Sequence, residues 1–162
     1  MTDLLRVAAL AASTLTTGLV AGLFYAFSCS VMLGLAGASD RTFVETMRLI
    51  NRRIINGWFL TAFVGSIPLL LLTVALHLPA GSREPLPWSV AALALYLATI
   101  VITGRVNVPL NNQLDAAGPV DETDPAPVRA RFEARWVRWN LVRTVTSVAA
   151  FGCLIGALLA GQ

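Results

Sequence analysis

The chain contains no lysine, one histidine (His77) and two cysteines (Cys29 and Cys153) in 162 residues, and only 13% of it is charged. Each scarcity excludes a class of chemistry. A transmembrane haem needs histidine ligands on facing helices, and one histidine near a helix end cannot supply them. A zinc or di-iron centre fails for the same reason, because the apolar runs carry no carboxylates either. A thiol oxidase needs paired cysteines near a membrane surface. Cys29 and Cys153 stand singly inside apolar runs and read as small buried hydrophobes. Proton-coupled small exporters generally keep a carboxylate within the membrane, and none lies between the ends of these runs. No metal or other cofactor is expected.

What the chain has in quantity is apolar sequence. Hydrophobic residues make up 56% of it and its mean hydropathy is +0.71. Soluble domains carry roughly a quarter charged residues, so this is membrane-protein composition. The length suits a single membrane domain over 1–162. The net charge of +3 comes from twelve arginines. They lie between the apolar runs, with no nucleic-acid recognition pattern. They read as topology signals and contacts to membrane lipid headgroups, and nucleic acid is not expected as a partner.

The hydropathy pattern predicts an all-α, four-helix transmembrane bundle, with spans near 4–35, 58–78, 88–106 and 138–160. A short interfacial amphipathic helix over 40–56 follows the first span. The first run exceeds the ~30 Å hydrocarbon core at ~1.5 Å per residue, so it must tilt or project. It is also too long for a signal peptide, and Asp3 precedes its lone Arg6. Ser39 or Asp40 caps the interfacial helix. Phe43, Met47, Ile50 and Ile54 recur on one of its faces, with Arg41, Glu45, Arg48 and Arg52 directed elsewhere. Gly65 and Pro68 predict a bend in the second span. Gly81 and Ser82 belong to a short polar loop, and 116–128 is a Pro/Asp-rich loop expected to be mobile. Pro109 predicts that the third helix kinks or stops, with Asn107 and Asn111 placed to cap the break. Gly18, Gly22 and Ala26 form a small-residue stripe, for which Gly152 and Gly156 are a plausible partner. These stripes outnumber what one bundle needs, which leaves room for a homo-oligomer.

Ten arginines fall in or beside the first and third inter-helix regions, and two, Arg6 and Arg83, at the other side. The positive-inside rule then puts the long loops in the cytoplasm and both termini outside, in the inner or plasma membrane. Three polar stretches share the cytoplasmic end: Asn51 after Met47, Asn107 to Asn112, and Trp136 to Arg143. On a helix Trp136, Asn140 and Arg143 share one face. Arg143 lies about one turn inside Trp139, where an unpaired charge costs several kcal/mol. Its candidate partners are asparagine carbonyls, backbone carbonyls freed near Pro109, or an anionic ligand.

Two readings stay open from the residues alone. In one, Arg143 and the asparagines form a structural clasp that caps the broken third helix. In the other they form a site. Such a site offers hydrogen-bond donors, one fixed positive charge and aromatic walls, without an evident nucleophile or base. It suits a flat, apolar polyphenol that becomes an anion. Arg143 and Asn140 would act on the developing oxyanion. Asn51, Asn107, Asn111 and Asn112 would hold the substrate, and Trp136 and Trp139 would stack its rings.

Three motifs carry a resemblance. They are Thr46-Met-Arg-Leu-Ile-Asn51, Asn107-Val-Pro-Leu-Asn111-Asn112, and Trp136-Val-Arg-Trp139-Asn140-Leu-Val-Arg143-Thr144. With the Gly18 to Ser28 run, the sequence resembles the small four-helix membrane family that includes the anthrone oxygenases of polyketide pathways. The resemblance implies oxidation of an anthrone-like polyphenol to a quinone by O2, with no known metal or flavin requirement. Relatives often carry histidine where this chain has Leu141. A histidine there would be the natural base for the ring methylene proton. The family's Met-Pro after the first span is Met32-Leu33 here. The alternative is a non-catalytic bundle that binds a lipid, a quinone or a partner protein.

Overall fold

The structure is a computed structural model that describes residues 2–79 and 83–161. Gly81 and Ser82 of the expected second loop therefore lie outside the described residues. The described residues form helices and no strands. Helix α1 (Thr2–Ala26) passes through a π turn (Phe27–Val31) into α2 (Met32–Ala36). The amphipathic α3 (Asp40–Ile54) follows, then α4 (Gly57–Phe63) and α5 (Ser66–His77). Helix α6 (Pro85–Ile102) runs through a second π turn (Thr103–Asn107) into α7 (Val108–Ala116), and α8 (Pro125–Ala160) completes the chain. Four of these helical stretches are long and apolar enough to cross a membrane: Asp3–Ala36, Gly57–His77, Pro85–Ala116 and Pro125–Ala160. The protein is an integral-membrane four-helix bundle, as its hydropathy predicts.

Burial runs opposite to that of a soluble bundle. Leu15, Leu19, Leu71, Val101 and Val145 face outward, while Ser13, Thr17, Ser66, Thr73, Ser89, Thr99 and Ser147 are wholly buried. Lipid tails are as apolar as leucine, so burying leucine between helices gains little. Small residues and hydroxyls instead let the backbones approach and bond. Ser13 meets Thr73 across α1 and α5 at 2.9 Å, and Thr99 meets Thr146 across α6 and α8 at 2.7 Å. Most of the other hydroxyls donate to the carbonyl one turn back, as Ser66 does to Ala62 and Ser89 to Pro85.

The glycines act singly rather than as paired stripes. A Cβ on Gly18 would come within 2.8 Å of the Phe151 ring, so α1 and α8 are close there. Gly156 instead receives Trp88 of α6, while Gly22 and Gly152 have open space around them. The expected partnership of the two stripes therefore reduces to one contact.

The second span bends at Gly65, as expected. A Cβ there would fall 2.1 Å from the Thr61 carbonyl oxygen, so only glycine fits. The bend separates α4 from α5, and the Tyr96 hydroxyl donates to the Phe63 carbonyl at 2.7 Å. In lipid such a carbonyl needs a partner from a neighbouring helix.

Pro109 does not stop the third helix. Its ring would collide with the carbonyl of Arg105 in α geometry. The π turn just before it widens the ladder instead, and the Val108 N–H reaches back five residues to Thr103. Pro109 then sits in the first turn of α7, where a missing N–H costs nothing. Asn107 makes no capping bond. The fourth helix is likewise unbroken from Pro125, and the approach and the span form one rod of 36 residues, about 54 Å long.

Two arginines expected at headgroups turn inward. Arg48 is buried; its Nε donates to the Leu114 carbonyl at 2.9 Å and its Nη1 to that of Gly118 at 2.8 Å, closing the end of α7. Arg129 reaches the carbonyls of Ala36 and Ala38 past the end of α2, pairs with Asp40 and Glu133, and covers the Phe43 ring. Helix C-termini carry unpaired carbonyls and partial negative charge, and an arginine satisfies both. Outside the spans, Asp121 and then Glu45 raise Arg41 further above the usual guanidinium range by hydrogen bond and charge. Ser39 caps α3 as expected, accepting from the Thr42 N–H. Cys153 packs against the core, but Cys29 is exposed on the outer face of the first π turn and is not a buried hydrophobe.

Candidate functional site

The site lies at the arginine-rich end, where both π turns face α8. Asn140 is its hub. Its Nδ2 donates to the Phe24 carbonyl at 3.2 Å and to Ser28 Oγ at 2.7 Å, and its Oδ1 accepts from Arg143 Nε at 3.0 Å. Arginine only donates and a carbonyl only accepts, so the amide orientation is fixed. Thr144 uses its hydroxyl proton on the Asn140 carbonyl at 2.7 Å. Ser28 must then donate to Thr144, 3.1 Å away. Asn140, Ser28 and Thr144 thus close a ring of hydrogen bonds joining α8 to the first π turn.

Arg143 is 7% exposed. Its guanidinium carbon stands 4.1 Å from the Phe24 ring centroid and 5.1 Å from that of Trp136. Among the described residues it has no carboxylate partner, and the bond from Nε to Asn140 is the one hydrogen bond it makes. Its terminal nitrogens are unspent. Of the candidate partners it takes an asparagine carbonyl, that of Asn140, and makes no hydrogen bond to the third helix's backbone carbonyls, so the capping clasp at Pro109, one of the two open readings, is not formed. The second π turn removed the break that such a clasp would have capped.

Trp136 is buried, and its indole N–H donates to Asn111 Oδ1 at 2.8 Å. Its ring packs on Phe132 at 5.9 Å and on Phe27 at 5.6 Å. The Asn111–Trp136 and Thr99–Thr146 bonds set the antiparallel register of the third and fourth helices. Between these two bonds Asn107 falls level with Asn140, and Thr103 level with Arg143. Asn107 is 0% exposed, and both its amide oxygen and its amide nitrogen lack a hydrogen-bond partner among the described residues. Buried amides are nearly always bonded, and leaving one open costs about 1–3 kcal/mol.

The other residues singled out from sequence are placed differently. Asn51 is buried on the face of α3 that carries Arg48, and its Nδ2 has no partner. No hydrogen bond links it to Asn140 or Arg143 among the described residues. Trp139 is half-buried, with no ring or hydrogen-bond partner there. Asn112 is exposed, because one residue past Asn111 rotates about 100° away from α8. The same rotation settles Leu141. It is 55% exposed on the outer face, one residue past Asn140, so a histidine there would point away from Arg143. The expected base position is not part of this site.

Phe24, Ser28 and Thr144 join the site without having been given roles from sequence. Phe24 and Ser28 are four residues apart on one face of the first helix, and Ser28 is a polar residue in an apolar run. That spacing was the available signal.

The fold and site define a class: a membrane four-helix bundle with a guanidinium held between two aromatic rings and an open amide on the facing helix. The chain belongs to the anthrone oxygenase family: the family model of that description matches residues 57–153. The match takes in Asn107, Asn111, Trp136, Asn140 and Arg143, while Phe24, Ser28 and Asn51 lie before it. No curated protein and no solved structure matches significantly.

Proposed function

We propose that the protein oxidises an anthrone-like polyphenol to the corresponding quinone with O2, at the site around Arg143 and without a cofactor. The observation that carries this reading is the unspent guanidinium of Arg143 at the end of the bundle where the facing third helix buries the open amide of Asn107. Both groups are costly to leave unpaired in a membrane and both suit an oxygen-bearing planar molecule. The family match supports the reaction class.

In this reaction the ring methylene loses a proton and leaves a carbanion delocalised onto the ketone oxygen. Arg143 bonds that oxyanion, a charge larger in the transition state than in the neutral substrate. O2 adds at the former methylene carbon, forming a C–O bond, and the peroxide takes up a proton. The O–O bond then breaks as the second C–H proton leaves. The carbon becomes a ketone and the distal oxygen leaves as water. Asn107 orients the hydroxylated edge, and Phe24 and Trp136 face the rings. The proton acceptor is water or a substrate phenolate, since the methylene lies across the ring from the ketone oxygen and none of the described site residues is a carboxylate or histidine that could serve there. The arginine-rich end faces the cytoplasm in this reading.

The test is oxygen uptake by purified protein in nanodiscs with an anthrone. Wild type accelerates uptake and quinone formation over empty nanodiscs. Arg143→Met, still folded, loses about 10²–10³-fold, the cost of one oxyanion donor. Equal rates in wild type, Arg143→Met and empty discs would overturn the reading.

A further inference from the structure

Asn107 is closed from solvent and Arg143 nearly so, so a molecule that meets them needs a route. A cavity of about 400 Å³ lies at the arginine-rich end, between α7 and the first turns of α8. That volume lies in the ~300–1,000 Å³ range of small-molecule sites. Buried Leu110, Leu114, Val128 and Phe132 line it, together with exposed Gln113 and Arg131. Arg131 uses Nε on the Pro127 carbonyl at 3.1 Å and has no carboxylate partner among the described residues, so its terminal nitrogens face outward unpaired. The lining thus combines an apolar floor with one free cation and one amide.

The cavity shares a wall with the buried site. Its Phe132 lies against Trp136 at 27° between ring planes, and Trp136 in turn borders the Arg143 guanidinium. Leu110 lines the cavity, and its neighbour Asn111 holds the Trp136 indole through one hydrogen bond. The ring that stands between the two spaces is thus held by one neutral hydrogen bond together with its packing on Phe132 and Phe27.

We propose that this cavity is the access vestibule of the Arg143 site, that it accepts a fused-ring aromatic bearing an anionic substituent, and that Asn111 latches Trp136 as its door. The proposal rests on the reading of the Arg143 site given above. The apolar floor takes the rings, Arg131 takes the carboxylate or phenolate, and Gln113 bonds a hydroxyl. The vestibule therefore selects anionic over neutral polycycles before the reaction begins.

The test uses the full chain in nanodiscs, with anthraquinone-2-carboxylate as probe and quenching of tryptophan emission as readout. Wild type quenches saturably. Arg131→Gln weakens the carboxylate probe by about tenfold, the loss of one charge-assisted bond. It leaves uncharged anthraquinone unchanged, and Arg131→Lys retains most of the binding. Ala117→Phe, which fills the cavity, removes binding of both probes. No saturable quenching by wild type overturns the proposal. So does equal binding of the carboxylate probe to wild type and Arg131→Gln. Oxygen uptake on the same samples separates the two readings. Arg131-dependent binding without turnover sinks the oxygenase and leaves the vestibule. Arg143-dependent turnover with Arg131-independent binding does the reverse.

Discussion

The Nε of Arg143 is 3.0 Å from Oδ1 of Asn140, and the same amide bonds Ser28 and the Phe24 carbonyl through its nitrogen. The residue that aims the guanidinium also ties the fourth helix to the first. Asn140 is therefore structural as well as part of the site, whereas Arg143 gives back one bond for a buried charge. That asymmetry separates the effects expected at the two positions.

Arg143→Met and Asn107→Leu are expected to fold, with thermal stability equal to or above wild type. A buried ion without a counter-ion, replaced by an apolar side chain of similar shape, is commonly neutral or stabilising. An open buried amide costs about 1–3 kcal/mol and its removal recovers part of that. Thermal melts in detergent check both. A drop of more than a few degrees in either variant would show that these groups support the fold instead of a ligand.

Asn140→Ala is expected to move the other way. It leaves the Arg143 Nε, Ser28 and the Phe24 carbonyl each short of a partner. The loss should be about 1–3 kcal/mol, with a lower melting temperature and a lower turnover together. An unchanged melt would mean that the ring joining α8 to the first π turn carries no stability.

At the bend in the second span, Tyr96→Phe deprives the Phe63 carbonyl of its donor. Gly65→Ala drives a methyl into the Thr61 carbonyl. Both should lower stability, and Gly65→Ala more, since backbone must move. The double variant should fall short of the sum, because the alanine displaces the carbonyl that Tyr96 serves. Full additivity in a double-mutant cycle would contradict the link.

Arg48→Gln removes the donors that close α7 at Leu114 and Gly118. The turn after α7 should then open, and limited proteolysis between 116 and 124 should quicken several-fold while the spans stay protected. A cleavage rate equal to that of wild type would show that the loop is held by other contacts.

Orientation is checked by labelling. In a variant without Cys29 and Cys153, a cysteine at Arg131 should react with an impermeant maleimide only after the cells are opened. A cysteine at Asp3 should react in intact cells. The opposite pattern would invert the topology read from the arginines.

Much of this architecture was legible because bilayers impose one strong rule: apolar runs of sufficient length must be helices whose backbone satisfies itself. Four such runs, the Ser39 cap and the Gly65 bend follow from local sequence. The shared face of Trp136, Asn140 and Arg143 follows from the helical period. Two π turns do not, since each adds one residue to a turn without altering the hydropathy pattern. Pro109 looked like a break for that reason, and the asparagines around it looked like caps. Arg48 and Arg129 looked like surface charges, because a sequence does not show which helix end will come to rest beside them.

The sequence by itself determined that this is a four-helix membrane protein with an arginine and several amides gathered toward one end. Helix period and hydropathy are local properties, readable along the chain. Only the tertiary structure decided the partners: Asn140 for Arg143, Asn111 for Trp136, none among the described residues for Asn107, and an outward direction for residue 141. Those choices depend on the register between helices far apart in sequence. A one-residue π insertion resets that register, rotating every later side chain by about 100° relative to its neighbours.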